Sequence, residues 1–384
     1  MKINKEIIYR AVVMLAAMLF LYVGNKIATG DFGIFSYGDS IPAIEARVIR
    51  ITDVSEEIGY GWSNKIITFE AAVTSGAGLK GGLVTAAQNI SSFDFRVDRE
   101  VKQGDRVILS SPAENEWYFT NYIRINQIII LGAVFIVMLF ILGRIKGLTA
   151  IFALGLTCTA IFAVFIPSIL SDRNIYISAA IVCVYSVVVT LFMVNGVDRK
   201  SVSAVSGCFG GIIAIAVLAL TMEKTLDLTG VINDESLYLL YMQRENPIDL
   251  KAIIFAGIMI GAVGAVMDVA MSIATALWEL RQNAPELNFK QFFKSGINMG
   301  QDIMGTMANT LVLAYTGGSL SIILLLVVYS DSFSDLMNRE LVIVELLKAI
   351  AGSFGILLTI PLTALICAVL YPQRKEEPPP EPLF

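Results

Sequence analysis

Long apolar runs constrain this chain more than any other feature of its sequence. Several of them reach the roughly 18 to 20 residues that an α-helix needs to cross about 30 Å of hydrocarbon. Only 16% of the residues are charged, whereas about a quarter are charged in soluble proteins. The sequence therefore predicts a multi-pass membrane protein. The eight runs are 11–23, 126–143, 149–169, 175–195, 202–221, 251–275, 301–329 and 346–371.

The segment 31–122 differs from the runs on either side of it. EARVIRITDV and NKIITFEAAV mix β-branched and charged residues, as half-buried strands do, and VKQGDRVIL reads as strand, turn and strand. We predict an all-α polytopic membrane bundle of about eight transmembrane helices, with a small β-rich extracytoplasmic domain between helices 1 and 2. The predicted boundaries are a helix in 1–30, the β-rich domain in 31–122, a seven-helix bundle in 123–372 and a disordered tail in 373–384.

The distribution of Lys and Arg predicts the orientation in the membrane. If the N-terminus is cytoplasmic, the inner flanks of the runs carry twelve Lys or Arg residues and the short outer loops carry five. Because basic residues favour the cytoplasmic side, both termini are expected inside and the β-rich domain outside. A cleaved signal peptide ending near 28–30 is the alternative reading of the first run, and it would also export the β-rich domain.

Composition excludes several classes of function. The chain has no histidine, so imidazole metal ligands and Ser-His or Cys-His catalysis are absent. A net charge of −5 without a basic patch argues against a nucleic-acid partner. The four cysteines lie in apolar runs and are interpreted as packing residues. No GxxxxGK[ST] loop occurs, and we expect neither a metal site, nor a cofactor, nor enzymatic activity.

An acidic residue lies inside the sixth run, GAVGAVMDVAMSIATALWEL, at Asp268. With helical spacing, Asp268 shares a face with Ser272, Thr275 and Glu279. Gly257, Gly261 and Ala265 form a small-xxx-small stripe, which predicts close approach of a neighbouring helix. The helix is therefore expected to lie within the bundle and to carry a polar strip towards its cytoplasmic half.

The next run begins with a second polar face. Asn298, Asp302 and Asn309 share a helix face, and Thr306 lies beside them. Since one run leaves the cytoplasmic side and the other approaches it, Asp268 and Asp302 are expected at similar depth. Gly317-Gly318 predicts a break in the second helix.

A charged aspartate at the bilayer centre costs about 2.5 to 3.5 kcal/mol on insertion scales, so it must be neutral, paired or hydrated. We interpret Asp268 as part of a polar cavity with Ser272, Asn298, Thr306 and Asn309, neutralised by a proton or a cation. The alternatives are a protonated Asp268 that only joins two helices, and an Asp302 at headgroup level.

Three further patterns predict local structure. Ser203, Gly207 and Gly211 form a second small-residue face, interpreted as helix packing. NAPELNFKQFFKSG (283–296) opens with a capping-box pattern and predicts a short interfacial helix. DESLYLLYMQ predicts another short amphipathic helix.

The stretch GAVGAVMDVAMSIATALWEL, followed by NMGQDIMGTMANTLVLAYTGGSL, resembles the YibE/F-like family of bacterial membrane proteins. The resemblance covers most of the chain and is sharpest between about 257 and 320. It implies a bacterial plasma-membrane protein of permease-like appearance. It implies no substrate, and no catalytic or binding residue is carried over from it.

Three functions follow from these observations. The first is secondary transport of a small solute or ion, coupled to a proton or a cation through Asp268. The second is a scaffold or sensor whose outer domain binds a partner. The third is an intramembrane aspartyl hydrolase that uses Asp268 and Asp302, although the chain lacks a GxGD motif. The expected partners are the lipid bilayer, an unidentified small solute or ion, and a second copy or another membrane protein.

Overall fold

The computed structural model describes residues 5–29, 42–59, 62–76, 80–91, 99–113, 116–241 and 246–371. The predicted tail, 373–384, lies outside these residues. The chain divides into two compact units, Gly33–Met138 and the remainder, which comprises Met1–Phe32 and Leu139–Phe384. Each unit is described separately below.

The larger unit is a bundle of apolar helices. The helices of the chain are α1 (Lys5–Thr29), α2 (Ile125–Ala160), α3 (Ile166–Leu170), α4 (Ile175–Asn195), α5 (Arg199–Thr225), α6 (Asp234–Tyr241), α7 (Leu250–Asn283), α8 (Phe289–Gly318), α9 (Leu320–Tyr329), α10 (Phe333–Asn338) and α11 (Glu340–Leu370). A single π-helical turn, Ile161–Phe165, joins α2 to α3. Because the helices are long and apolar, the chain is a helical membrane protein, as its sequence predicts.

By length and composition, six helices in the described part of the chain can cross a membrane, and seven can if α8 and α9 form one bent span. One of the six is the 46-residue stretch Ile125–Leu170. If straight it would rise about 69 Å, more than twice the hydrocarbon thickness. It is broken at Arg144, whose φ is 48°, and the predicted runs 126–143 and 149–169 lie on either side of this break. The number of eight spans stays a prediction.

Helix α7 lies at the centre of the bundle core. One of its faces is buried against α5 and α11 and consists of small and branched apolar residues, among them Ala262, Val266, Ala270 and Ile273. Small residues let the three helices approach closely, and branched residues fill the remaining space. The helix begins where Asp249 accepts a hydrogen bond from the Ala252 N–H at 3.2 Å, which is an ordinary N-cap.

The smaller unit contains a closed five-stranded β-barrel. Its strands are β1 (Ala43–Gly59), β2 (Trp62–Ser75), β3 (Leu83–Ser91), β4 (Arg106–Ala113) and β5 (Glu116–Tyr122), in the order β1-β2-β3-β5-β4. Alternate residues point inwards, so that Ile44, Phe69 and Leu109 are fully buried in one core. This confirms the predicted β-rich domain; its side of the membrane stays a prediction.

Strand β1 is longer than the barrel wall requires. It pairs with β4 only from Ala43 to Arg47. Val48 then bonds through its backbone to Gly104 and Asp105. From there to Gly59, the described pairing of β1 is with β2 alone. The distal part of β1 is therefore an edge of the sheet.

The segment between β3 and β4 is fastened by one buried side chain. Gln88 is fully buried; its Nε2 donates to the Arg99 carbonyl at 3.0 Å, and its Oε1 accepts from the Val101 N–H at 2.8 Å. These bonds replace the water that the two backbone groups would otherwise bind. They fix the chain just before the turn that leads into β4.

The prediction of a separate helix in 283–296 is wrong. Helix α7 continues to Asn283, and α8 begins at Phe289 and runs without interruption to Gly318. The residues that close the capping box are Asn288 and Gln291. The short helix predicted in DESLYLLYMQ is present as α6.

Candidate functional site

Helix α7 presents Asp268 on the face opposite its buried one. Gly257, Gly261, Gly264, Asp268 and Ser272 succeed one another along this face, and all are exposed in the single chain. Three of the five are glycines; a Cβ added at Gly257 or Gly264 would meet no atom within 4 Å, whereas Gly261 lies beside the Tyr315 hydroxyl. Among the described residues, Asp268 forms no hydrogen bond and no ion pair.

A cavity of about 290 Å³ lies next to this face, between α2, α4 and α7. Gly264 and Met267 line it from α7, but Asp268 does not. The hydroxyls of Thr157 and Ser186 also line it, yet each donates to a carbonyl of its own helix at 2.9 and 2.8 Å. The cavity is therefore largely apolar, and Asp268 is not among the described residues that line it.

Helix α8 carries the other predicted site residues. Gly296 and Gly300 turn towards α11, where an added Cβ would overlap Ala364 or Ile360. The opposite face of α8 is exposed, and Asn298, Asp302, Thr306 and Asn309 lie on it. We call these four residues the α8 polar face.

The positions of Asp268 and Asp302 along their helices are similar. Asp268 lies fifteen residues before the end of α7 and Asp302 thirteen residues after the start of α8. At 1.5 Å per residue, both lie roughly 20 Å from the turn that joins the helices. No described hydrogen bond joins these two carboxylates, and none joins the six predicted site residues to one another.

A family model described as YibE/F-like protein matches residues 131–373. The match covers more than half of the chain and includes α7, α8 and α11. The chain belongs to the YibE/F-like family. No curated protein and no solved structure matches it.

The YibE/F-like region is tightly packed at one of the two predicted small-residue stripes. An added Cβ would overlap Thr363 at Gly207 and Thr359 at Gly211, and Ser203 is fully buried. The stripe on α7 is different. Gly257 has no atom within 4 Å of an added Cβ, Ala265 is half-buried, and Gly261 faces the hydroxyl of Tyr315.

The break predicted at Gly317-Gly318 is present in the YibE/F-like region. Helix α8 ends at Gly318, and α9 continues at an angle of 66°. Paired glycines weaken a helix because their backbone, which lacks a Cβ, loses more conformational entropy when it becomes helical. The α8 polar face is thus followed by a discontinuous helix.

Two residues of the site have roles that sequence spacing does not reveal. Arg281 is one of the twelve basic residues counted on the inner flanks of the apolar runs. It is buried, donates to the Leu287 carbonyl at 2.9 Å and lies 3.9 Å from the ring centroid of Phe292, so it fixes the turn between α7 and α8. Tyr315 places a buried hydroxyl, without a described partner, beside Gly261.

Within the described ranges, no group of three or more Cys, Asp or Glu side chains is arranged to hold an ion. All four cysteines are free thiols, and Cys183, Cys208 and Cys367 are buried.

Proposed function

We propose that this YibE/F-like protein is a permease-like secondary transporter of a small solute or ion. The observation that carries the proposal is the α8 polar face. It places an acid, two amides and a hydroxyl along the exposed surface of a helix in an apolar bundle. Intramembrane acids with polar neighbours mark ion and substrate paths more often than they serve as plain structure.

The described residues of the chain do not cover this polar face, so the proposal includes what covers it. Exposure of Asp302 and two amides to hydrocarbon is unfavourable by several kcal/mol. We assign a second copy of the chain to this surface. A two-fold axis brings the same face against itself, and Asn and Thr side chains both donate and accept hydrogen bonds, so the face is complementary to itself.

Asp268 is the proposed coupling residue. It lies on the open, glycine-rich face of α7, at about the same depth as Asp302. Without a described counter-charge, its carboxyl is neutral when it binds a proton or a cation. The discontinuity between α8 and α9 supports the same proposal, because broken helices line the solute sites of many secondary transporters.

The proposed setting is the plasma membrane of a bacterium, with both termini cytoplasmic and the barrel outside. The excess of Lys and Arg on the inner flanks of the apolar runs supports this orientation. A cysteine at Lys80, in the turn between β2 and β3, would test it, because an impermeant thiol reagent applied to whole cells labels the residue only if the barrel is outside.

Flux measurements test the function. Proteoliposomes with purified full-length protein are screened against a panel of small solutes and ions by solid-supported-membrane electrophysiology, with and without a pH gradient. We expect Asp268→Asn to abolish the gradient-driven current. Glu279→Gln is the matched control, since it removes an exposed acid from the same helix near its cytoplasmic end. Equal currents in Asp268→Asn and wild type would exclude the coupling role.

Crosslinking tests the second copy separately. In a Cys158→Ser background, Thr306→Cys is expected to give covalent dimers in native membranes, whereas Val217→Cys, on the exposed face of α5, is not. Absence of the Thr306 crosslink would remove the proposed partner. Absence of any current in full-length protein would favour the scaffold or sensor, in which the barrel binds a partner. The hydrolase has no support, because no described interaction joins Asp268 and Asp302.

A further inference from the structure

A polar cavity of about 460 Å³ lies where the barrel meets the start of α2, within the smaller unit. Its charged lining consists of three arginines, Arg99, Arg106 and Arg124, and one carboxylate, Asp105. Tyr122 and the amide side chains of Asn126 and Gln127 complete its polar surface. The transport proposal uses none of these residues.

Among the described residues, the positive charge that lines this cavity exceeds the negative charge. Arg99 donates to Asp105 at 2.6 Å. Arg106 lies 3.9 Å from Glu45, beyond the range of a hydrogen bond. Arg124 has no described ion pair, and its guanidinium lies 5.5 Å from the ring centroid of Tyr122. Two guanidiniums therefore retain donors for an added anion.

The cavity wall is held in place before any ligand binds. The Tyr122 ring also contacts Arg99, whose guanidinium carbon lies 4.9 Å from the ring centroid. The Tyr122 hydroxyl donates to the Arg99 carbonyl, which also accepts from buried Gln88. Cation–π contact and these hydrogen bonds restrict where the guanidiniums can lie. A preorganised donor set loses less entropy when it binds its ligand.

The cavity also lies at a defined depth. Arg124 immediately precedes Ile125, the first residue of α2. The following residues are apolar and exposed, including Ile128, Ile129 and Leu131. A basic residue directly before an apolar membrane helix lies among the lipid headgroups. Headgroups and their surrounding water are where phosphate groups are found.

We infer that this cavity binds a phosphate group, carried either by an anionic lipid headgroup or by a free phosphate. The planar guanidinium fork offers two parallel N–H donors that match two phosphate oxygens. Arg124 and Arg106 supply these donors, while the Arg99–Asp105 pair supports the wall. The amides of Asn126 and Gln127 add neutral donors on the α2 side.

Two binding measurements on purified full-length protein separate the two sources. In the first, inorganic phosphate is titrated onto the detergent-solubilised protein by isothermal calorimetry. In the second, protein in nanodiscs of phosphatidylglycerol and phosphatidylcholine is ejected into a native mass spectrometer, and the retained phosphatidylglycerol is counted. Binding in the second measurement alone identifies a lipid headgroup. Binding in the first identifies a site for phosphate itself.

Arg124→Gln is expected to weaken binding about tenfold or more, since it removes charge-assisted hydrogen bonds. Lys80→Gln is the matched control: it removes the same charge from an exposed turn of the barrel that does not line the cavity. Arg124→Lys keeps the charge but loses the fork, and an intermediate loss is expected. Fluorescence of Trp117, which is buried in the barrel, monitors folding.

Two results would overturn the inference. One is the absence of binding in both measurements with the wild-type protein. The other is an equal loss in Lys80→Gln and Arg124→Gln, which would reduce the effect to net charge. If Arg124→Gln does not fold, the comparison of Arg124→Lys with Lys80→Gln decides the question in the same way.

Discussion

Gly211 on α5 offers a sharp test of the packing in the bundle. An added Cβ would overlap Oγ1 of Thr359 on α11, and would lie 3.1 Å from both the Gly355 carbonyl oxygen and Cγ1 of Val266. Thr359 cannot move aside freely, because it is fully buried and its Oγ1 donates to the Gly355 carbonyl at 2.7 Å. Gly211→Ala must therefore displace a helix or break this bond.

The expected magnitude follows from a comparison with Gly257 on α7, where an added Cβ meets nothing within 4 Å. Both substitutions gain about 1 kcal/mol of helix propensity, so this gain cancels. Only Gly211→Ala overpacks the core, which destabilises the fold by about 1 to 3 kcal/mol. It also weakens or breaks the Thr359 hydrogen bond, which contributes about 0.5 to 1.5 kcal/mol. We expect Gly211→Ala to be less stable than Gly257→Ala by about 1.5 to 4.5 kcal/mol.

The measurement is equilibrium unfolding of the full-length protein in mixed micelles, with Gly211→Ala, Gly257→Ala and wild type side by side. Thr359→Ala removes the overlapping oxygen, so in that background Gly211→Ala is expected to cost at least about 1 kcal/mol less. Equal stability of the two alanine variants, or no coupling with Thr359, would show that α5 and α11 are not in contact at these residues.

Two further predictions concern the barrel. Gln88→Leu leaves the buried Val101 N–H without an acceptor, at a cost of about 1 to 3 kcal/mol, and should raise the rate of limited proteolysis between β3 and β4; unchanged proteolysis would contradict this. Hydrogen bonding from Arg50 lowers the pKa of Glu70 below its ordinary 4.5. A lowered folded-state pKa stabilises the fold above the unfolded pKa, and this contribution is lost as the pH falls through the folded value. Arg50→Gln should therefore reduce Tm slightly at pH 7 but not well below pH 4.5, and a difference independent of pH would refute the assignment.

Features set by a few neighbouring residues could be predicted from the sequence. The start of α7 depends on Asp249, the break between α8 and α9 on Gly317-Gly318, and the 2.7 Å pair of Glu345 and Lys348 on a spacing of three residues. In each, the partners lie within one helical turn. Their chemistry therefore decides the structure before any long-range contact forms.

The residue at which α8 begins was harder to predict, because two neighbouring sequences fit the same capping motif. Asn283 with Glu286 and Asn288 with Gln291 both fit a capping box, and the chain uses the second. Buried Arg281 stabilises the observed boundary, because it donates to the Leu287 carbonyl in the turn between the end of α7 at Asn283 and the start of α8 at Phe289. The spacing of residues shows neither this burial nor the carbonyl that Arg281 reaches.

The surroundings of Asp268 and Asp302 could not be predicted, since helical spacing gives the face of a residue but not its neighbour. The sequence predicts that both acids lie on polar faces at similar depth. In the structure, both acids lie at similar distances along their helices from the turn between α7 and α8. Which faces of α7 and α8 are buried, and which are left exposed, depends on the contacts of α11 with α5, α7 and α8. Those contacts join residues far apart in the sequence, such as Gly300 and Ile360 or Leu311 and Gly352, so no local pattern encodes them.

The distal part of β1 has a consequence for solubility. A sheet edge with unpaired backbone groups can recruit the same edge of another molecule and start aggregation. Here that edge carries Asp53, Glu56 and Glu57 within five residues, all exposed. If the edges of two molecules paired, their carboxylates would face and repel one another. Neutralising these acids should therefore make the protein prone to aggregate through pairing of these strands.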